Sequence, residues 1–255
     1  MSELSTKRLQ DLEQEILSKE WFYKFTLPSG ATTRTYVSDD ILKIHDTRLE
    51  MMFSVLDPFL GSSWPETTCI DLSSHQGFFA YHLAQKCRHV LGLDFQPEHI
   101  ESANLIRSVY GLANCEFREA NVATLGGDEI EPADVVTMFG LLYHLEDPIG
   151  GLRKARRWTK RALVVETQTT ILDLTGKVDT GSYLWSTEMH GIFGICSDAK
   201  GPDGAATDIV LIPSPKGLLW IMNQLGFYRV EVVAPPPDAY EQHASGKRMM
   251  VVGYV

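Results

Sequence analysis

The feature that most restricts the fold of this chain is a short turn between an apolar segment and a helix-forming segment. Residues 67–72 read Thr-Thr-Cys-Ile-Asp-Leu and predict a strand that carries the carboxylate of Asp71 near its end. The small and polar residues Ser-Ser-His-Gln-Gly follow at 73–77. A strand that passes through such a turn into a helix is the place where α/β proteins hold nucleotide-like cofactors. The turn therefore predicts an α/β fold with a nucleotide-type site at this point.

A second apolar segment ends in an acid about 20 residues after this turn. Residues 89–94 read His-Val-Leu-Gly-Leu-Asp and predict a strand that ends at Asp94. An acid in this position can accept hydrogen bonds from both ribose hydroxyls of a nucleotide. A lone acid before a helix is often only a favourable helix N-terminal charge. Because Asp94 is paired with Asp71 and followed by Pro97, we interpret it as a ribose ligand.

Strands and helices alternate along the central part of the chain. The strands are predicted at 67–72, 89–94, 115–118, 134–139 and 162–168, and the helices at 77–87, 97–110 and 149–158. Such alternation with short connections predicts a parallel sheet with helices on both faces. A helix at 215–225 and strands at 228–233 and 248–254 follow. The connection through Pro235, Pro236 and Pro237 is too short for a crossover helix, so the last two strands are expected to be antiparallel.

These motifs resemble those of the class I S-adenosylmethionine-dependent methyltransferases, whose first motif runs acid-x-Gly-x-Gly-x-Gly. The resemblance covers residues 65–168 motif by motif. It implies a Rossmann-like doubly wound α/β sheet of seven strands, mostly parallel with an antiparallel last strand. Here Asp71 keeps the acid and Gly77 the last glycine, while Ser73 and His75 stand at the other two glycine positions. Since a Cβ at residue 75 removes space beside the ligand, the cofactor is expected to bind with lower affinity or in a shifted position.

The resemblance implies S-adenosyl-L-methionine as cofactor and assigns residues to its parts. The amino-acid end is expected at the first motif, the ribose and adenine beyond the second strand and the third, and the sulfonium at the end of the fourth strand. The cofactor-binding residues predicted in this way are Asp71, Ser73, His75, Gly77, Asp94, Phe95, Gln96, Asn121, Val122, Phe139 and Gly140. Asn121 could instead be an ordinary turn residue, since asparagine is common in turns.

The segment 134–148 resembles the fourth-strand segment of small-molecule methyltransferases, in which an apolar strand is followed by Tyr-His and Asp-Pro. Tyr143 is predicted to border the sulfonium, since aromatic faces suit a cationic sulfur. Histidine exchanges protons near neutral pH, so His144 is a candidate general base for an OH, NH or SH nucleophile. Two alternatives stay open: His144 packs under the loop, or alignment of the reactants suffices without a protein base.

Residues 1–60 are expected to form an N-terminal addition on the substrate side, with helices at 3–20 and 39–56 and a hairpin at 21–33. This addition is loosely similar to that of methyltransferases of the wobble-uridine type. Residues 61–255 would form the methyltransferase domain, with a substrate-binding insertion at about 169–213. The predicted substrate-binding residues are Trp21, Tyr23 and Tyr36 from the addition, and Trp185, Met189 and His190 from the insertion. An aromatic cluster of this kind is otherwise often part of a core.

Composition limits the partners of the chain. Its formal net charge is −10 at pH 7, and such an acidic balance is unlike that of proteins that bind nucleic acid. No apolar run approaches the roughly 20 residues that span a bilayer, and residues 1–20 are charged rather than signal-like, so a cytoplasmic protein without a membrane partner is expected. The four cysteines lack metal-type spacing, which predicts free thiols and no metal.

Together these observations predict S-adenosylmethionine-dependent methyl transfer to an O, N or S nucleophile of a small-molecule metabolite, with a homodimer as one possible assembly. Two alternatives remain. An NAD(P)-dependent oxidoreductase would need a Gly-x-Gly-x-x-Gly motif, which Ser73 and His75 do not supply. The second alternative is a non-catalytic relative that binds the cofactor or a partner. It is suggested by the two missing glycines.

Overall fold

The computed structural model describes residues 3–178, 187–198 and 208–255. The α-helices are α1 (Glu3–Ser18), α2 (Asp39–Leu60), α3 (Phe78–Ala84), α4 (Pro97–Tyr110), α5 (Pro148–Arg157), α6 (Pro215–Gln224) and α7 (Glu241–Ala244). The strands are β1 (Glu20–Trp21), β2 (Arg34–Thr35), β3 (Thr68–Leu72), β4 (His89–Asp94), β5 (Cys115–Glu119), β6 (Ala133–Phe139), β7 (Thr159–Gln168), β8 (Gly176–Val178), β9 (Thr187–Met189), β10 (Phe193–Ser197), β11 (Ile209–Pro213), β12 (Arg229–Val233) and β13 (Arg248–Tyr254). Short 3-10 helices lie at Gly61–Glu66 and Leu142–His144.

The main sheet has seven strands in the order β12-β13-β7-β6-β3-β4-β5. The pairs β3/β4, β4/β5 and β6/β7 are parallel, whereas β13 is antiparallel to both β7 and β12. This topology confirms the predicted Rossmann-like fold with an antiparallel last strand. The chain divides into two compact units, one up to Leu125 and one from Gly126 onward.

In the first unit, local signals fix the ends of α4. Pro97 occupies the first helical turn, and Gly111 ends the helix with φ at 66°, its N–H donating to the carbonyls of Arg107 and Ser108. The buried residues of α4 are His99, Ala103, Ile106 and Val109, which recur at the spacing of one helix face. The bounds of α4 are therefore those that the sequence predicts.

The N-terminal part of the same unit contains a short hairpin at residues 25–33, within the predicted range. The N–H of Gly30 donates to the Leu27 carbonyl across the turn, Thr26 and Thr32 form an antiparallel bridge, and the N–H groups of Leu27 and Thr33 donate to the carbonyls of Ala31 and Phe25. The preceding strand β1 pairs in parallel with β2. The helix that follows, α2, ends at Leu60, four residues beyond the predicted end at 56. It includes Pro58 in its last turn.

In the second unit, β7 is buried along Ala162–Val165, as expected for an inner strand covered on both faces. Side-chain caps begin two helices: Asp147 accepts from the N–H of Gly150 at α5, and Ser214 from that of Gly217 at α6. The insertion at about 169–213 contains more regular structure than its sequence indicates. In its described parts, β8 pairs antiparallel with β9 and β10 antiparallel with β11.

Candidate functional site

The turn between β3 and α3 has the backbone conformation of a glycine-rich loop although it contains a single glycine. Ser73, His75 and Gly77 have φ values of 61°, 51° and 84°. The left-handed region costs residues with a Cβ about 1–2 kcal/mol each. The two residues that replace glycines of the family motif therefore keep the positive φ that glycine favours, and the surrounding structure must hold them there.

Asp94 provides much of that support. Its Oδ2 accepts a hydrogen bond from the N–H of His75 at 2.9 Å, and its Oδ1 accepts from the N–H of Gln96 at 3.0 Å. Nδ1 of His99 lies 3.0 Å from the same Oδ1. Burial alone raises the pKa of Asp94, but His99 and the Gln96 N–H outweigh it, and the pKa lies below its ordinary value. Asp94 is thus an ionised carboxylate that fastens the loop.

The number of bonds that Asp94 makes limits its capacity for a ligand. A carboxylate offers about four lone-pair positions, and three are used by His75, Gln96 and His99. One position on Oδ2 is left for a further donor. The prediction that Asp94 accepts both ribose hydroxyls therefore requires one of these bonds to be released, whereas a single hydroxyl can be accepted without rearrangement.

Asp71 lies on β3 in register with Gly92 of the neighbouring strand and is 1% exposed. Burial raises the pKa of Tyr23 far above its ordinary range, Arg48 acts in the opposite direction, and both Asp71 and Asp94 add to the rise. Both carboxylates therefore act on the same buried phenol. Asp71 and Asp94 therefore both lie near Tyr23.

Aromatic and imidazole rings cover this loop from the N-terminal part of the unit. The imidazoles of His75 and His99 are stacked with centroids 3.6 Å apart, and the ring of Phe22 lies 5.2 Å from that of His75. The N–H of Phe22 donates to Oε1 of Gln76 at 2.8 Å. Tyr23 stacks on Phe78, the first residue of α3, with ring centroids 4.9 Å apart. Tyr23 is therefore part of the packing around the loop.

The other predicted cofactor residues of this unit have different surroundings. Phe95 is 39% exposed, so its ring is available to a ligand. The Asn121 side chain accepts from the N–H of Ala123 at 2.9 Å, which is the turn-forming role open to asparagine. Val122 is buried. Gly77 faces the ring of Phe117, because a Cβ at Gly77 would lie 2.7 Å from Cζ of Phe117.

In the second unit, the end of β6 is tied to β7. Phe139 is buried in register with Glu166, and Gly140 turns away with φ at 68° while its N–H donates to the Glu166 carbonyl at 3.0 Å. The Glu166 carboxylate, itself fully buried, lies 3.0 Å from Nε2 of His243 and accepts from Nη1 of Arg248 at 3.1 Å. This buried network fixes the Arg248 side chain.

Arg248 in turn supports Tyr143. Its Nη2 donates to the Tyr143 hydroxyl at 3.0 Å, and its guanidinium carbon lies 4.9 Å from the centre of the Tyr143 ring. Burial lowers the pKa of Arg248, but the charges and hydrogen bonds of Glu166 and Tyr143 together outweigh it, and the net shift is upward. Tyr143 is therefore held by the permanent positive charge of Arg248, and no local sequence motif predicts this contact.

His144 has a carboxylate partner from the insertion. Its Nδ1 lies 2.9 Å from Oδ2 of Asp198, and its ring centroid lies 4.3 Å from that of Tyr143. The His144 and Asp198 side chains are 23% and 15% exposed. The pair is mostly buried and partly exposed to solvent, and a carboxylate beside an imidazole can orient it for proton transfer.

The predicted acceptor residues have different surroundings within each unit. Trp21 is fully buried with its indole N–H donating to the Ile16 carbonyl, which is a packing role. Tyr36 is 40% exposed. His190 stacks on Trp220 with centroids 4.6 Å apart, and Met189 ends β9 beside it. Trp185 lies outside the described residues.

Three of the four cysteines are buried and all four are free thiols. Over the described ranges, no group of three or more His, Cys, Asp or Glu side chains has an arrangement that could hold a metal ion. The described helices include none with the length and apolar character needed to cross a membrane.

Comparison with known families and curated proteins gives the following matches. Residues 64–181 match the family model described as a methyltransferase domain. A segment of 134 residues, 51% of this chain, is 29% identical to the O-antigen chain terminator bifunctional methyltransferase/kinase WbdD of Escherichia coli. The chain spans 18% of the length of that curated relative.

Solved structures match over more of the chain. The N-terminal domain of EvdMO1 with bound SAH has a TM-score of 0.69 at 20% identity, over 100% of this chain and 98% of that one. Magnesium protoporphyrin IX methyltransferase from Synechocystis PCC 6803 with bound SAM has a TM-score of 0.55 at 14% identity, over 86% of this chain and 84% of that one. Both share the fold described above.

Proposed function

We propose that this chain, which belongs to the class I S-adenosylmethionine-dependent methyltransferases, transfers a methyl group to an oxygen, nitrogen or sulfur nucleophile of a small-molecule metabolite. When bound, S-adenosylmethionine supplies an electrophilic methyl group on a positively charged sulfur. The residues of this chain then have to hold the cofactor, orient the acceptor and manage its proton.

The observation that carries the proposal is the conformation of residues 73–77. Three left-handed residues follow the acid of β3 and precede α3, although two of them are Ser73 and His75. Keeping that conformation costs about 1–2 kcal/mol at each of the two residues. Backbone strain that a structure maintains is typical of ligand sites.

The surroundings of the loop fit an adenosyl cofactor. Asp94 has one lone-pair position left for a ribose hydroxyl, and the exposed ring of Phe95 follows it in the chain. Gly77 leaves the loop in contact with Phe117, where an added side chain would force the ring to shift. Asp71 would serve the amino-acid end, and Asn121 and Val122 the adenine, as the family resemblance implies. The Cβ and ring of His75 take up space that glycine would leave open.

Tyr143 and His144 are the proposed catalytic residues of the second unit. Tyr143 would present its ring to the sulfonium region, with Phe139 and Gly140, and Arg248 holds its hydroxyl. His144 would accept the proton of the acceptor. Met189 and His190 would contribute to acceptor binding.

A small acceptor is favoured over nucleic acid by charge and by relatives. The net charge of −10 opposes a polyphosphate backbone. EvdMO1 has been crystallised in the presence of SAH and D-fucose, and the Synechocystis relative is described as acting on magnesium protoporphyrin IX. Both compounds are small molecules.

Cofactor titration tests the proposal directly. Isothermal calorimetry should show binding of S-adenosylmethionine and S-adenosylhomocysteine, and none of NAD(P)H. Asp94→Asn should weaken binding tenfold or more, as expected for hydrogen bonds to a charged group, while Glu119→Gln at the exposed end of β5 should leave it unchanged. Circular dichroism establishes that both variants are folded. Unchanged affinity in Asp94→Asn would remove Asp94 from the site.

Activity is tested with cofactor that carries a labelled methyl group. Incubation with metabolite extracts should transfer the label to a small molecule, which mass spectrometry identifies. Binding without any transfer, to metabolites or to tRNA, would indicate the non-catalytic alternative. Transfer to tRNA would reject the small-molecule acceptor, and binding of NAD(P)H instead of the adenosyl compounds would reject the methyltransferase activity.

A further inference from the structure

We propose that Asp198 is a positioning residue that fixes His144 as a proton acceptor, and that the methyl-accepting group is a hydroxyl. This inference rests on the proposed function and restricts the methyl acceptor from an oxygen, nitrogen or sulfur nucleophile to a hydroxyl. It assigns a role to a residue of the insertion that lies 54 positions from its partner in the chain.

The first support is the fixed position of the His144 ring. His144 ends a 3-10 turn at Leu142–His144, and its N–H donates to the Leu141 carbonyl at 2.9 Å. The ring lies against that of Tyr143, which Arg248 anchors. The imidazole therefore has little rotational freedom before Asp198 is considered.

The second support is that the Asp198 strand is docked on the same turn. The N–H of Leu211 on β11 donates to the Leu145 carbonyl at 3.2 Å, and β10 pairs with β11 from Phe193 to Ser197. Asp198 follows directly, its N–H donating to the Asp208 carbonyl at 3.3 Å. Backbone hydrogen bonds thus bring the carboxylate to His144.

The geometry selects one form of the imidazole. A carboxylate 2.9 Å from Nδ1 accepts the Nδ1 proton, so the neutral ring carries its free lone pair on Nε2. Within the described part of the chain, the hydrogen bond of the His144 ring is made by Nδ1, and Nε2 is open to a substrate hydroxyl. Asp198 also stabilises the imidazolium that forms when Nε2 takes a proton, as in carboxylate-oriented catalytic histidines.

The need for such a base identifies the acceptor class. A neutral amine attacks through a lone pair that it already has, and a thiol with a pKa of about 8.5 ionises readily. A hydroxyl is a weak nucleophile until an adjacent base removes its proton. During transfer, the hydroxyl proton would move to Nε2 of His144 as the oxygen–methyl bond forms and the methyl–sulfur electron pair returns to sulfur. The products are a methyl ether, the demethylated cofactor and an imidazolium, which releases its proton to solvent.

A purely structural role for the pair makes a different prediction. Asp198 would then only fasten the β10–β11 hairpin, and either tautomer of His144 would serve. The charged and titratable side chains that contact the His144 ring are Asp198 and Tyr143, with Arg248 behind Tyr143. The proton position on His144 therefore separates the two roles.

Nuclear magnetic resonance of the full chain with ¹⁵N-labelled histidine reads that position without cofactor or acceptor. Loss of a signal in His144→Gln assigns the ring. In the wild type, the long-range ¹H–¹⁵N correlations should show a protonated Nδ1 and an unprotonated Nε2. Asp198→Ala should shift the proton toward Nε2, and Asp208→Asn, an exposed change on the same hairpin, should leave it on Nδ1. A wild-type ring protonated on Nε2, or no response to Asp198→Ala, would overturn the positioning role.

Once the acceptor is identified, a double-mutant cycle tests coupling in catalysis. His144→Gln should lower kcat by roughly 10²–10⁴, Asp198→Asn by a smaller factor with little change in KM, and the double variant no further than His144→Gln. Additive losses would show that Asp198 acts independently of His144. A product methylated on nitrogen or sulfur would overturn the hydroxyl class while leaving the proposed methyl transfer intact. Absence of all cofactor binding would instead reject the proposed function, and the proton position would still report on the pair.

Discussion

The tight contact between Gly77 and Phe117 allows the loop at residues 73–77, the proposed cofactor site, to be tested with a matched pair of substitutions. Gly77 and Gly111 both have positive φ, at 84° and 66°, and both belong to the unit that ends at Leu125. A Cβ at Gly111 would meet nothing within 4 Å, whereas one at Gly77 would lie 2.7 Å from Cζ of Phe117 and 3.1 Å from Cβ of Ala103. The two positions therefore share the conformational cost and differ in the steric one.

The expected free energies follow from these two terms. Alanine in the left-handed region costs about 1–2 kcal/mol, and the reduced entropy of the unfolded chain offsets about 0.4–1 kcal/mol of this. Gly111→Ala should therefore destabilise the protein by about 1 kcal/mol. Overpacking typically adds about 1–3 kcal/mol, which brings Gly77→Ala to about 2–4 kcal/mol. The Phe117 ring cannot yield cheaply, because it also lies against Gly92 and is 9% exposed.

Urea unfolding followed by circular dichroism measures both variants against the wild type. Calorimetric titration with S-adenosylhomocysteine shows in parallel whether the loop still binds. The expected result is a larger loss of stability in Gly77→Ala than in Gly111→Ala, together with weaker binding in Gly77→Ala alone. Equal losses of stability in the two variants would refute the argument that Phe117 and Ala103 confine the loop.

Two further predictions concern buried ionisable groups. Glu166→Gln leaves Arg248 without its buried counter-charge and should cost about 3–5 kcal/mol, whereas Glu241→Gln, in an exposed pair with Lys247, should cause no measurable change; similar urea midpoints for the two variants would contradict this. Burial lowers the pKa of His82 from 6.5 to about 4. As the pH falls, His82 is therefore protonated in the unfolded chain before it is protonated in the folded protein. The free energy of unfolding decreases for this reason between pH 6.5 and pH 4. His82→Gln should therefore lose about 1–2 kcal/mol less stability than the wild type between pH 7 and pH 5, and parallel pH profiles would show that His82 is not responsible.

The elements that the sequence predicts most closely are those with local signals at both ends. The bounds of β4, α4 and β13 agree with the predicted ranges 89–94, 97–110 and 248–254. A continuous apolar run defines each strand, and Pro97 and Gly111 mark the ends of the helix. The strands of the insertion were not predicted, because β8 is exposed at all three residues and therefore shows no alternation of apolar and polar side chains.

The candidate site residues also differ in whether the local sequence indicates them. Asp71 and Asp94 could be proposed as site residues from the sequence because their distance in the chain is characteristic of one fold. Asp198 and Glu166 could not, since their partners lie 54 and 77–82 residues away and no local pattern announces the pairing. His99 had a usable signal, because it follows Asp94 by five residues in the first turn of a helix.

The loop itself explains how a family motif can lose two glycines and keep its shape. The cost of a positive φ at Ser73 and His75 is about 1–2 kcal/mol each. Hydrogen bonds to a charged group contribute about 1.5–3 kcal/mol, and Asp94 accepts one from the loop itself at His75. The imidazole that replaces glycine adds a stack on His99, and His99 in turn holds Asp94. His75 therefore introduces the strain and also belongs to the network that offsets it. Restoring glycine at this position would relieve the backbone while removing the stack, so the side chain and the conformation are coupled rather than independent.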